Sequence, residues 1–125
     1  MEIFKEYDET NKIIRISVEG HYEHEKLFLA FPEISAFARR KYCNKFLIDA
    51  RKFIPELRLG EVYNLSSAND KFGILRTDII AFIHPKEYTD LYKFCETVAY
   101  NRGWLNYKIF TDYNKGGRWL LSVGA

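Results

Sequence analysis

Ile79-Ile80-Ala81-Phe82-Ile83 is apolar at every position and is stopped by His84-Pro85. A strand that is apolar on both faces has to be covered on both, which makes this segment the best candidate for the centre of a sheet. Proline biases the residue before it away from helical backbone, so the strand is predicted to stop at His84-Pro85. A second apolar run, Phe46-Leu47-Ile48, ends in Asp49 and reads as another buried strand.

The remaining elements follow from periodicity. Residues 2–7 alternate apolar and polar side chains, and residues 13–18 do so around Ile14, Ile16 and Val18, with Asp8-Glu9-Thr10-Asn11 between them. Two such runs around a short polar loop predict a β-hairpin. Leu27, Phe31, Ile34, Ala38 and Tyr42 then recur at three- and four-residue spacing, with Glu33, Arg39 and Arg40 on the other side, which is the pattern of an amphipathic helix. Pro32 lacks the amide donor, which predicts a short helical turn before it and the main helix starting at it. Arg39-Arg40-Lys41 falls in the last turn, where cations favour the negative end of the helix dipole; that account is preferred to a phosphate or acidic-partner patch. Pro55 bars a helix interior, and Leu59, Val62, Tyr63, Leu65 or Ser66 and Asn69 then predict a weaker helix closed near Gly73. Helical spacing returns at Tyr88, Leu91, Cys95, Val98 and Ala99, with Gly103 as the C-terminal cap. Tyr107, Ile109 and Thr111 alternate with Lys108 and Phe110, as in a half-exposed edge strand. Asp112 is placed to cap a last short helix holding Trp119, Leu120 and Leu121.

The order β-β-α-β-α-β-α-β-α predicts an α/β domain with a mostly parallel sheet of about five strands, headed by one antiparallel strand of the N-terminal hairpin. No repeat or linker interrupts the 125 residues, so residues 1–125 read as a single domain. Lys and Arg number 19 against 17 Asp and Glu, and the net charge of +2 is too small to imply a nucleic-acid or membrane partner. The longest apolar stretches fall far short of the ~20 residues that span a bilayer, and no leader pattern opens the chain, so a cytoplasmic protein without a membrane span is expected. Cys43 and Cys95 lie on different predicted helices and are expected to be reduced and buried. Aromatic residues reach 17%, with 9 Tyr among them. So many phenols cannot all be buried with their hydroxyls satisfied, so several line a groove, a cavity or an interface, unless the core simply uses bulky residues.

Pro32 with Ile34 and Phe37, Phe46-Leu47-Ile48-Asp49-Ala50-Arg51, the strand through Ile83, and Ile109-Phe110-Thr111-Asp112 leading to Trp119-Leu120 together resemble the SpoIIAA-like (STAS/SEC14-like) domain family over nearly the whole chain. The resemblance implies a SpoIIAA-like fold and an interaction or regulatory module, with lipid or nucleotide binding suggested by some relatives. Two departures stand out. Lys115-Gly116-Gly117 replaces the family's residues at the start of the last helix, and two glycines at roughly 1 kcal/mol each predict that this helix is short or delayed. The family's phosphorylatable serine has no counterpart in Phe53-Ile54-Pro55-Glu56-Leu57, and Ser66 and Ser67 come about a dozen residues later, inside the predicted helix. Phosphorylation switching of a sigma-factor pathway is therefore disfavoured.

In parallel sheets ligands tend to bind outside the carboxyl ends of the strands. The residues expected there are His21 and Tyr22, Asp49 and Arg51, His84, and Thr111 with Asp112. A histidine, a carboxylate and an arginine at one edge suit anion binding or proton transfer. The plainer account has Asp49 paired with Arg51, Asp112 capping a helix and His84 in a loop, and it carries more weight. His21 and His24 form H-x-x-H at a helix entry, a spacing that can share a metal on one helical face, but no established third ligand accompanies it. No metal, cofactor or catalytic residue is therefore assigned. The leading expectation is a non-catalytic binding or regulatory module for a protein partner or a small, partly apolar ligand. A small enzyme using His84 or His21 as acid–base and Arg51 to hold an anion is the alternative, and a homodimer burying exposed tyrosines is compatible with the first.

Overall fold

The computed structural model describes residues 1–123, the side chains of Leu59, Val62 and Ser66 apart. Five strands form one sheet: β1 (Glu2–Asp8), β2 (Ile13–His21), β3 (Lys45–Ile54), β4 (Ile79–Ile83) and β5 (Tyr107–Phe110). They lie side by side in chain order, β1 antiparallel to β2 and the other neighbours parallel. Four helices accompany them: α1 (His24–Arg40), α2 (Leu59–Ser66), α3 (Thr89–Asn101) and α4 (Tyr113–Ser122). The element order is the one that periodicity predicts. In the hairpin turn, the Asp8 carboxylate accepts from the Asn11 amide and side chain at 3.1 and 2.9 Å.

A ladder that grows in chain order through crossovers of one hand returns every crossover helix to the same face. One core accordingly joins Ile14, Ile16, Phe46, Ile48 and Ile80 of the sheet to Leu27, Phe31, Ile34 and Ala38 of α1, Phe72 and Ile74 after α2, and Ala99 of α3. A second, smaller core lies on the other face, where Ile13, Leu47, Ile79, Ala81 and Ile83 meet Leu120 of α4. Ile79–Ile83 is thus covered on both faces by opposite sets of alternating side chains, as its composition requires.

Four local expectations are corrected. Helix α1 runs unbroken through Pro32 from His24. Leu27, before the proline, and Phe31 and Ile34 around it are all buried against the sheet, and this packing outweighs one missing hydrogen bond. Tyr42 lies past the end of α1 at φ 53° and is 92% exposed, so it does not belong to the apolar stripe. Helix α4 starts at Tyr113, with the Asp112 carboxylate accepting from the Lys115 amide, and continues through both glycines. Gly116 is buried against the sheet, and a Cβ there would lie 2.5 Å from Ile83 Cδ1. The residue that weakens the helix intrinsically is the one that lets it dock. Strand β3 does not end at Asp49 but reaches Ile54, passing through a register shift opposite Val18. The bulge leaves Arg51 and Lys52 both exposed and returns Phe53 to the face of Ala50.

Helix α3 ends as predicted, with Gly103 at φ 97° just beyond its cap. Its buried face is centred on Tyr92, Val98 and Ala99, while Tyr88, Leu91 and Cys95 are only half-buried. The stripe positions Leu59, Val62 and Ser66 of α2 lie outside the described side chains.

The two glycines of α4 should respond oppositely to substitution. A Cβ at Gly117 would meet no atom within 4 Å, so Gly117→Ala is expected to raise stability by about 0.5–1 kcal/mol. Gly116→Val should lower it by about 1–3 kcal/mol by forcing α4 off Ile83. Urea unfolding midpoints of the two variants check both signs.

Candidate functional site

Helix α4 is packed on β3, β4 and β5 and covers Ile13 at the start of β2, and the same face of β1 and of the rest of β2 is left open. Asp49 and Arg51 lie at this border. They are two residues apart on β3, and the guanidinium grips the carboxylate with both prongs, Nε to Oδ1 at 2.9 Å and Nη2 to Oδ2 at 2.8 Å, while the Arg51 amide donates to Oδ1 at 3.1 Å. Arg51 also lies 5.2 Å from the centre of the Tyr113 ring. The Tyr113 hydroxyl accepts from Arg15 at 3.0 Å, and Arg15 pairs with Asp8 at 3.2 Å. Burial pushes the Asp49 carboxyl up, but hydrogen bonds from the Arg51 side chain and amide, with the charges of Arg51 and Lys52, outweigh it and hold the pKa below the ordinary 3.8. Asp112, held by the Lys115 amide, is likewise lowered. Every cation of this chain of contacts has its partner. The groove alongside, edged by Phe4, Ser17 and Glu19, is open and shallow.

The other expected strand-end residues do not join them. His21 is the last residue of β2, and its Nδ1 lies 3.1 Å from Glu56 Oε1, both side chains being exposed. Tyr22 packs edge-on against Phe53 and shares a 3.0 Å hydrogen bond with His24. His84 is buried, donates from Nδ1 to the Pro85 carbonyl at 2.9 Å, and stacks on Tyr92. Because His21 ends a strand and His24 starts α1, the pair does not share a helical face. Among the described residues no group of three His, Cys, Asp or Glu is arranged to hold a metal. Within the same residues, no helix is long and apolar enough to cross a membrane.

The other face holds a feature that strand ends do not announce. Between the sheet and α1, α2 and α3 is a cavity of about 110 Å³. Six of its lining residues are aromatic: Phe31, Phe53, Phe72, Phe82, Tyr92 and Tyr107. The small side chains of Ala50 and Ala99 leave space between the rings, and the β3 bulge keeps Ala50 and Phe53 on the same wall. No charged side chain among the described residues lines it. Burial raises the pKa of Tyr92 and Tyr107 well above the phenol range, so both stay neutral. Asn69, in the 3₁₀ turn Ala68–Asp70, lines the wall beside Phe72. Sequence reasoning missed Tyr92 and Asn69. The signal for Asn69 is present in hindsight, since a polar residue occupies a position of the apolar stripe.

Compared with models of known families, with curated proteins and with solved structures, the chain matches none of them.

The Asp49–Arg51 pair has a testable pH signature. A carboxyl whose folded pKa is depressed contributes stability that is complete above its ordinary value of 3.8 and is lost as pH falls through the folded value. Asp49→Asn should therefore lower stability at neutral pH by up to about 1 kcal/mol, and its melting temperature should converge with that of the parent protein below the ordinary carboxyl pKa. A gap that persists unchanged into strong acid would mean that the side chain acts through packing alone.

Proposed function

We propose that this chain is a non-catalytic binding module of SpoIIAA-like architecture that holds a small, mostly apolar molecule between its sheet and its three crossover helices. The observation that carries this reading is the 110 Å³ cavity ringed by aromatic side chains. Interiors are normally packed as densely as organic crystals, and an unfilled space of that size costs about 2–3 kcal/mol. A ligand recovers that loss through dispersion contacts with the rings. An engineered apolar cavity of roughly 150 Å³ takes up benzene, which puts the occupant here at one ring or a short branched chain. The in-order ladder and the one-sided helices support the SpoIIAA-like scaffold, and the absence of a serine in Phe53-Ile54-Pro55-Glu56-Leu57 disfavours phosphorylation as the switch. The acid–base alternative gains no support, because His21 is engaged by Glu56 and His84 by the Pro85 carbonyl, away from Arg51.

A protein partner or a second copy is favoured by a different observation, the uncovered face of β1 and β2, where Phe4 is 51% exposed among Glu6, Arg15 and Glu19. The two readings are compatible, since the cavity and this surface lie on opposite faces of the sheet. We place the protein in the cytoplasm, where thiols such as Cys43, which donates to the Lys12 carbonyl, stay reduced.

Saturating benzene should raise the melting temperature of the purified protein, and xenon should perturb the methyl resonances of Ile48, Ile74 and Ile80, which line the cavity. Ala99→Leu, which fills the space, should raise stability without ligand and abolish the benzene response. A parent protein indifferent to both probes would overturn the cavity as a binding site.

A further inference from the structure

We propose that the amino edge of the sheet docks on an anionic lipid surface, with Tyr42 inserted at headgroup depth and the cations around it facing the lipid phosphates. The end of α1 is closed by two hydrogen bonds, the Tyr42 amide donating to the Arg39 carbonyl at 3.2 Å and the Cys43 amide to the Ala38 carbonyl at 2.9 Å. That pattern needs left-handed backbone at the residue between the helix cap and Cys43, a position usually filled by glycine because a Cβ is strained there. Here it is a tyrosine, at φ 53°. Tyr42 is also 92% exposed, so its ring recovers almost nothing through packing. Strain kept at a residue whose side chain supports no part of the fold points to a use outside the fold.

The surroundings say what that use is. Strands β2 to β5 are parallel, so the loops before them share this edge. They are tied to one another: the Cys43 thiol donates to the Lys12 carbonyl at 3.2 Å, the Ile79 amide to the Asn44 carbonyl at 2.7 Å, and the Ile80 amide to the Asn106 carbonyl at 2.8 Å. Arg40, Lys41 and Lys45 flank Tyr42 in the chain, and Lys12 is joined to Cys43. Among the described residues none of these four cations has a carboxylate within ion-pair distance. The helix dipole accounts for Arg40 and Lys41 but not for Lys12 and Lys45, which lie outside the helix. Of the acids in these loops, Asp8, Asp70 and Asp78 are paired with Arg15, Arg76 and Arg39, which leaves Glu9 against the four. Leu75 and Leu105, before β4 and β5, are both exposed. The phosphates of a nucleic acid would neutralise the cations but leave both leucines in water. A lipid surface takes both, its phosphates meeting the cations and its interfacial layer the tyrosine and the leucines. The net charge of +2 hides this edge because it averages over the whole surface.

Co-sedimentation with vesicles tests the proposal. The parent protein is expected to bind vesicles of phosphatidylcholine and phosphatidylserine in equal parts about a hundredfold more tightly than phosphatidylcholine alone, and high salt should weaken that binding. Tyr42→Gly should raise the melting temperature by about 2–4 °C, since glycine adopts this backbone without strain, and yet weaken binding to the mixed vesicles about tenfold. A variant that is more stable but binds less does not owe its loss to misfolding. Lys41→Gln combined with Lys45→Gln should weaken binding to the mixed vesicles about tenfold, whereas Lys86→Gln, past the other end of β4, should leave it unchanged. No binding to either vesicle, equal binding to both, or a Tyr42→Gly variant that binds as tightly as the parent would each overturn the proposal. So would a thymidine oligonucleotide bound as tightly as the mixed vesicles, because Tyr42 would then be a base-stacking residue.

Discussion

The parallel ladder of β2, β3, β4 and β5 runs in chain order, and the two unusual surfaces of the molecule follow from that order. Crossovers of one hand between successive neighbours crowd α1, α2 and α3 onto one face of the sheet. The opposite face receives only α4. A helix is about 10 Å across, whereas five strands at about 4.8 Å spacing extend roughly twice as far. One helix therefore cannot cover that face. It seats on β3, β4 and β5, where the core pairs Ile83 and Leu47 with Leu120, and Gly116 lets the backbone come close. Beyond its edge the exposed sheet turns polar, and Asp8, Arg15, Tyr113, Arg51 and Asp49 follow one another along the border. Their mutual pairing keeps this open surface polar and accounts for all of their charge.

At the carboxyl edge of the sheet the expected residues each meet a local partner. After β2, β3 and β4 the chain returns to one face of the sheet, whereas after β5 it passes to α4 on the other face. His21, His84 and Asp112 all lie at or just past the ends of strands, yet each is absorbed by its own surroundings: a surface glutamate, a loop carbonyl and a helix start.

What the chain declares locally is what local physics decides. The double-faced strand at Ile79–Ile83, the Asp112 cap and the Gly103 terminus each depend on a few adjacent residues, and all three are legible in the sequence. What it conceals depends on partners distant in the chain. Pro32 reads as a helix start because proline usually is one, and only burial of Phe31 and Ile34 against the sheet shows why the helix runs on. Gly116 reads as a weakness until Ile83, 33 residues earlier by the numbering, occupies the place of its missing side chain. Strand β3 reads as ending at Asp49 because the charges that follow are a bulge, whose purpose is visible only when Ala50 and Phe53 are found on one wall. Tyr92 is invisible for the same reason: Phe82 of β4 and the stacked ring of His84 draw it inward. Of the nine tyrosines Tyr92 alone is buried, and Tyr107 reaches the cavity from a half-buried position.

The cavity is where these hidden decisions meet. The bulge directs Ala50 and Phe53 inward, the crossover helices contribute Ala99 and Tyr92, and the turn after α2 adds Asn69. A chain under selection for stability alone has a simple remedy at this point, a larger residue for either alanine, since stabilising substitutions of this kind are easily reached. The open space and the Tyr92 hydroxyl, buried without a partner among the described residues, are each unfavourable in isolation. Both lie on the same wall, so one molecule of the right volume with one polar group would remove both deficits together.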